Sequence, residues 1–124
     1  MIDGCSGGSD ALFEVQKVAD GVHVAVAARA YKVNCNTALI ETDDGVLVVD
    51  SHSKPSAARV VVEQIRAITP KPVRYVVNTH FHWDHWQGNE AYPSAYGHVD
   101  VITNDVTREA IVRKGLKRIK EVGL

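Results

Sequence analysis

The N-terminal part of the chain alternates apolar and polar positions with a period of two, and later stretches change to a period near 3.6. Phe13 to Val18 and Val22 to Ala27 flank the turn signal Asp20-Gly21, which predicts a β-hairpin. In the second of these strands Val22, Val24 and Val26 alternate with His23, Ala25 and Ala27. The valines are therefore the expected core face, and His23 points away from it. Thr37 to Thr42 and Val46 to Asp50 surround Asp43-Asp44-Gly45 and predict a second hairpin. Val46 to Val49 is apolar without alternation, which predicts a strand covered on both faces and a sheet with layers on either side.

Ser53 is the expected cap of a helix that holds Pro55 in its first turn, where a missing N–H costs nothing. Val61, Ile65 and Ile68 follow i, i+4, i+7 along it as a core-facing stripe, and the prolines of "TPKP" end it. Val73 to Asn78 is the next strand and Val99 to Thr103 another. Asn104 or Asp105 then caps a last helix with Val112, Leu116 and Ile119 on one face. The expected order is ββββ-α-β-(loop)-β-α, a layered α/β pattern. The boundaries are a short Gly/Ser tail over residues 1–12 and one domain over residues 13–124.

Composition narrows the classes. At 124 residues the chain has room for one core, and 45% hydrophobic content with a net charge of −1 describes a globular protein. No apolar run is long enough to span a bilayer, and "MIDGCSGGSD" has neither a basic nor an apolar leader region, so the cytoplasm is the expected location. Cys5 and Cys35 fit no metal-binding spacing, and two unpaired thiols are expected rather than a disulfide. The last helix carries Arg108, Arg113, Lys114, Lys117, Arg118 and Lys120. Glu109 and Glu121 interrupt the run, so a solvated face is expected and nucleic acid is not.

The chemistry concentrates in "HFHWDH", residues 80–85. Six histidines in 124 residues make three at such offsets a roughly one-in-a-hundred coincidence. On extended backbone, side chains two apart share a face, so His80 and His82 can grip one metal. A turn after them swings Asp84 and His85 toward a neighbouring position. Imidazole and carboxylate without thiolate suit zinc, with manganese or iron as substitutes. His52 lies in a loop from which it can approach the cluster, and His98 is expected to be structural or exposed. Trp83 and Trp86 bracket Asp84 and His85. Packing is the expected role of Trp86, whereas packing and walling a pocket are equally open for Trp83.

"THFHWDHWQGN" resembles the first metal-binding motif, THxHxDHxxGN, of the metallo-β-lactamase superfamily of hydrolases. Upstream, "DDGVLVVDSH", an Ala/Val-rich helix and "KPVRYVVNTHFHWDH" resemble that family's opening in order and spacing, so the likeness runs from about Phe13 to Val122. It implies that His80 and His82 bind a first zinc, that Asp84 and His85 bind a second, and that Asp50 supports the metal loop through hydrogen bonds. It further implies a metal-activated hydroxide attacking an ester, thioester, lactone or amide-type bond of a small-molecule substrate, with Asp84 as the catalytic residue. Gln87 stands where many relatives have glycine.

The resemblance also implies a fold larger than this chain, an αββα sandwich of two similar halves, of which this chain matches the N-terminal one. The family's second half supplies the remaining histidine and aspartate ligands. After His98 this chain has no histidine, and Asp100 and Asp105 are its only later aspartates. Two readings follow: a zinc hydrolase incomplete as this chain, or a non-catalytic metal-binding or assembly half-domain that needs a partner chain. In either, an apolar sheet face left open is expected to be covered by a homodimer partner or by a missing C-terminal half.

Overall fold

In a computed structural model, which describes residues 12–28, 35–115 and 117, β1 (Phe13–Ala19) and β2 (Val22–Ala27) pair as the first predicted hairpin. Gly21 turns it with φ +72, a conformation that glycine adopts without steric cost. β3 (Thr37–Glu41) joins β2 antiparallel and β4 (Val46–Val49) joins β3 antiparallel. β5 (Val73–Val77) and β6 (Asp100–Ile102) then add parallel, which gives one six-stranded sheet in chain order.

The crossover between β4 and β5 is α1 (Pro55–Ile68). Its residue before Pro55 is Lys54, in extended backbone with no side-chain cap. Ser53 is therefore one position too early to cap the helix as expected; Pro55 at the first helical position leaves one fewer N–H to satisfy there. Thr69 ends α1 in extended backbone, as a residue before proline must, and donates its N–H to Ile65 O at 2.9 Å. Ala57, Ala58, Val61, Val62 and Ile65 are buried against the sheet, whereas Ile68 is only partly covered. Burial of side chains such as Val61 and Ile65 stabilises the layer by about 1.5–3 kcal/mol each.

The helix-covered face differs from the one that β2 hydropathy suggests. Ala25 is fully buried beneath the helix layer, and Val22, Val24 and Val26 are only half-buried on the other face. Cross-strand geometry gives the reason. Phe13 pairs with Ala27 and Val15 with Ala25, so two large residues sit beside two small ones under α1. β4 departs similarly. Val46 and Val48 are buried while Leu47 and Val49 are half-covered, so one face of this apolar strand lacks a full layer.

α2 (Ala91–Tyr96), absent from the sequence reading, contributes the fully buried Tyr92 to the core. α3 (Asp105–Ala110) is capped by Asn104, whose side chain accepts from Thr107 N–H at 2.8 Å. It runs into a π-helical turn at Ile111–Gly115, and that wider turn moves the phase of the expected stripe. Val112 is 52% exposed as a result, and Leu116 and Ile119 lie outside the described residues. No helix among the described residues is long and apolar enough to cross a membrane.

Candidate metal centre

The cluster stands where the two parallel strands β4 and β5 end, the position at which open α/β sheets place their sites. β4 runs into Asp50 and β5 into Asn78. Asp50 N–H still donates to Val77 O at 2.8 Å, so the two loops leave the sheet side by side. His82 precedes a 3-10 turn at Trp83–His85, which closes with His85 N–H on His82 O at 3.0 Å. The change from strand to tight turn brings alternate and adjacent residues to one place.

The rings of His80 and His82 meet edge to face with centroids 4.7 Å apart, and those of His80 and His85 lie 4.2 Å apart. Asp84 joins through Oδ2, which is 3.6 Å from His85 Nε2. All four predicted residues are therefore neighbours at one corner of the sheet. Ring contacts rather than converging nitrogens hold them there, and among the described residues no three His, Cys, Asp or Glu side chains form a ready-made cage. Holding an ion requires side-chain rotation, for which the exposed His82 has freedom.

The donors nevertheless fit a divalent ion. Thr79 Oγ1 engages His80 Nδ1 at 2.8 Å, and Asp50 Oδ2 engages His85 Nδ1 at 2.8 Å, which leaves Nε2 of both rings for a metal. Such partners set the tautomer and orientation of a ligating imidazole. Asp50, only 6% exposed, also accepts from Thr79 N–H at 2.8 Å and from Thr79 Oγ1. Its carboxylate thus ties both histidine-bearing loops together, the role that the resemblance gave it.

Asn78 and Asn89 exchange a pair of amide hydrogen bonds of 3.0 and 2.7 Å, and Ser51 Oγ donates to the same Asn89 oxygen. His85 O accepts from Ser51 N–H at 2.9 Å and from Asn78 Nδ2 at 3.1 Å. Sequence reasoning did not single out Asn78, Asn89, Ser51 or Thr79. Thr79 and Asn89 are the first and last residues of the motif THFHWDHWQGN and Asn78 ends a strand, and these were the available signals. Trp86 is buried and donates from Nε1 to Phe81 O at 2.8 Å, which settles it as a packing residue. Trp83 is half-buried.

His52 does not approach the cluster from solvent. It is fully buried, its ring 4.5 Å from that of Phe13, with Nδ1 3.2 Å from Cys35 Sγ and Nε2 2.6 Å from Thr37 Oγ1. Burial pulls His52 down to about 4 and pushes the Cys35 thiol up to about 12, so both are uncharged at neutral pH. Cys35 is a free thiol, as expected, and Cys5 lies outside the described residues. Asp50 and His52 have φ of 65° and 75°, left-handed conformations that cost a non-glycine residue about 1 kcal/mol or more. His98 is exposed and pairs with Asp100 at 3.0 Å, far from any role in the cluster's hydrogen bonding.

Comparison with known proteins agrees with this architecture. A curated linear primary-alkylsulfatase of Pseudomonas sp. (strain ATCC 19151) is 31% identical over 81 residues, which are 62% of this chain and 15% of that protein. The structure of a metallo-beta-lactamase from Pontibacter korlensis superposes with a TM-score of 0.71 at 24% identity, over 83% of this chain and 48% of the other. The mono-zinc form of the metallo-beta-lactamase FIM-1 from Pseudomonas aeruginosa gives 0.70 at 20% identity, over 89% and 50%. The inverting sec-alkylsulfatase Pisa1 from Pseudomonas sp. gives 0.68 at 22% identity, over 84% and 17%. The chain thus spans half or less of the length of these relatives. The metallo-beta-lactamase superfamily model matches residues 30–118, which take in β3 to β6, the helix crossover and the histidine cluster, and by it the chain belongs to the metallo-beta-lactamase superfamily.

Proposed function

We propose that the chain carries the first metal ligands of a zinc-dependent hydrolase that cleaves an ester, thioester, lactone or amide-type bond of a small molecule. The observation that supports this is the grouping of His80, His82, Asp84 and His85 at the ends of parallel strands, with two imidazoles already oriented through Nδ1. His80 and His82 would hold one ion, and Asp84 and His85 a second. Zinc suits these donors, and manganese or iron would substitute. When bound, the metal supplies Lewis acidity and lowers the pKa of water toward neutrality. Asp84 acts as the catalytic residue: its half-buried carboxylate orients the attacking water and takes up a proton at Oδ for transfer to the leaving group.

The alkylsulfatase relative adds a sulfate ester to the candidate bonds. Lys114 favours an anionic substrate, because its Nζ stands 5.6 Å over the Phe81 ring, itself 5.0 Å from the ring of His82. Nucleic acid is not part of the proposal; of the basic residues on the last helix, Arg113 pairs with Glu109 at 3.3 Å. The free, buried Cys35 fits a reducing, cytoplasmic setting.

A catalytic zinc normally has three protein ligands and a water, and four side chains divided between two ions fall short of that. The remaining ligands would come from chain beyond this half of the fold or from a second copy. The sheet face opposite α1 is where such a partner would sit. Val24, Ile40, Leu47, Val49 and Val77 are half-covered there, and Ile102 is 45% exposed. This face favours the second reading, a metal-binding or assembly half-domain without activity of its own. Assays of the zinc-loaded chain on thioester, lactone, β-lactam and alkyl-sulfate probes separate the two. Hydrolysis abolished by chelator and lowered roughly a hundredfold or more by Asp84→Asn is the expected result. Bound zinc with no turnover would establish the half-domain instead.

A further inference from the structure

Behind the cluster, four contacts join two backbone carbonyls through three side chains. Asp84 O lies 2.9 Å from Cys35 Sγ, and Cys35 Sγ lies 3.2 Å from His52 Nδ1. His52 Nε2 lies 2.6 Å from Thr37 Oγ1, and Thr37 Oγ1 lies 2.8 Å from Asp50 O. Thr37 and His52 are fully buried and Cys35 nearly so, out of reach of bulk water. The ends of this chain are the carbonyls of the carboxylate residue in the metal turn and of the carboxylate that orients His85.

The protons do not suffice for all four contacts. Both ends only accept, and a thiol, a neutral imidazole and a hydroxyl bring one proton each, three for four contacts. With the proton on Nδ1, His52 donates to Cys35 and Cys35 donates to Asp84 O, while the one Thr37 hydroxyl proton has two acceptors, Nε2 and Asp50 O, and one of them goes without. With the proton on Nε2, His52 donates to Thr37 and Thr37 to Asp50 O. Cys35 then has two acceptors for its one S–H, Nδ1 and Asp84 O, and one of them goes without. Among these contacts the Nδ1–H tautomer thus leaves the Cys35 S–H only Asp84 O to donate to, whereas the Nε2–H tautomer makes Nδ1 compete for it.

We propose that Cys35 and His52 are positioning residues for the Asp84–His85 turn, the Nδ1–H tautomer of His52 committing the Cys35 S–H to Asp84 O and so preorganising the metal ligands. This rests on the metal-site reading above. The same loop reinforces the turn at two further points, where Ser51 N–H donates to His85 O at 2.9 Å and Gly88 N–H donates to His52 O at 3.1 Å. The left-handed backbone at Asp50 and His52 is what aims both groups at the turn.

Zinc affinity measured by competition with a chromophoric chelator tests the proposal, alongside nitrogen NMR of His52 and amide exchange in the metal-free protein. Cys35→Ala is expected to weaken zinc about tenfold, the lower end of what lost support around a metal ligand costs. Cys35→Ser, whose hydroxyl still donates to Asp84 O, is expected to recover most of that. In the metal-free protein Cys35→Ala should speed amide exchange at His85 and Gln87 by about tenfold through easier local opening, and wild-type His52 should carry its proton on Nδ1. A residue that merely filled space would change global stability and leave these readouts alone. Wild-type uptake of zinc with unchanged affinity in Cys35→Ala would overturn the positioning role and spare the metal site. A wild-type chain that takes up no zinc would overturn the metal reading and with it the proposal that the turn is preorganised for metal. An Nε2–H tautomer with unaltered exchange would overturn it independently of metal.

Discussion

Asp50→Ala is expected to lower the stability of the metal-free chain by about 1–3 kcal/mol and to weaken zinc binding by about 10- to 100-fold. The carboxylate is buried and accepts from Thr79 N–H, Thr79 Oγ1 and His85 Nδ1, so its removal leaves all three donors without their acceptor, although the exposed Thr79 and the half-buried His85 can turn to water. Alanine at φ 65° adds backbone strain that aspartate bears better, because Asp and Asn tolerate the left-handed region. The affinity loss has a separate cause: His85 keeps its place in the turn but loses the partner that fixes its ring. Asp50→Asn keeps the shape and one acceptor but turns an NH2 against a donor, so it should fall between the two. Urea unfolding reads the first effect and chelator competition the second. A loss under 1 kcal/mol with unchanged zinc affinity would show that the carboxylate does not organise the loops.

Gly88→Ala is expected to lose about 3 kcal/mol or more, or to prevent folding. A β-carbon at Gly88 would run into the carbonyl oxygen of Ser51, a backbone atom, with the Ala58 side chain 3.0 Å away on α1. Neither neighbour has a flexible end to swing aside. Gly88 N–H also holds His52 O at 3.1 Å, so a displaced Gly88 releases the loop that docks the metal turn. Gly97→Ala is the control. Its φ of 88° carries a conformational penalty, but no atom lies within 4 Å of the added carbon, so a loss of about 1–2 kcal/mol is expected there. Thermal or urea unfolding of the two variants compares a steric effect with a purely conformational one.

The elements that were legible in the sequence are those whose signal is local. Asp20-Gly21 and Asp43-Asp44-Gly45 announce hairpins through turn chemistry, and the i, i+4 spacing of Val61 and Ile65 announces α1. The histidine cluster was legible for the same reason, since backbone geometry alone puts residues 80–85 together. Features decided by distant partners were not. Hydropathy ranks the valines of β2 above its alanines, but Phe13 and Val15 on the next strand need small neighbours under α1, so Ala25 faces the core. α2 has only six residues, with Pro93 in its first turn, and it exists because Tyr92 has a core to enter. Of the stripe expected on the last helix, Val112 is exposed, where a π turn changes the period. The chain of Thr37, His52 and Cys35 joins two segments, residues 35–37 and His52, that lie 15 or more residues apart, so no local spacing announces it.

The measurement that reaches the central claim most directly is zinc uptake by the metal-stripped chain and by its single variants His80→Ala, His82→Ala, Asp84→Ala and His85→Ala. Metal analysis after gel filtration gives stoichiometry, and chelator competition gives affinity. The account predicts that the wild-type chain retains zinc and that each of the four substitutions lowers its affinity at least tenfold, with His98→Ala unchanged. Variants that retain as much zinc as the wild type, as tightly, would contradict it.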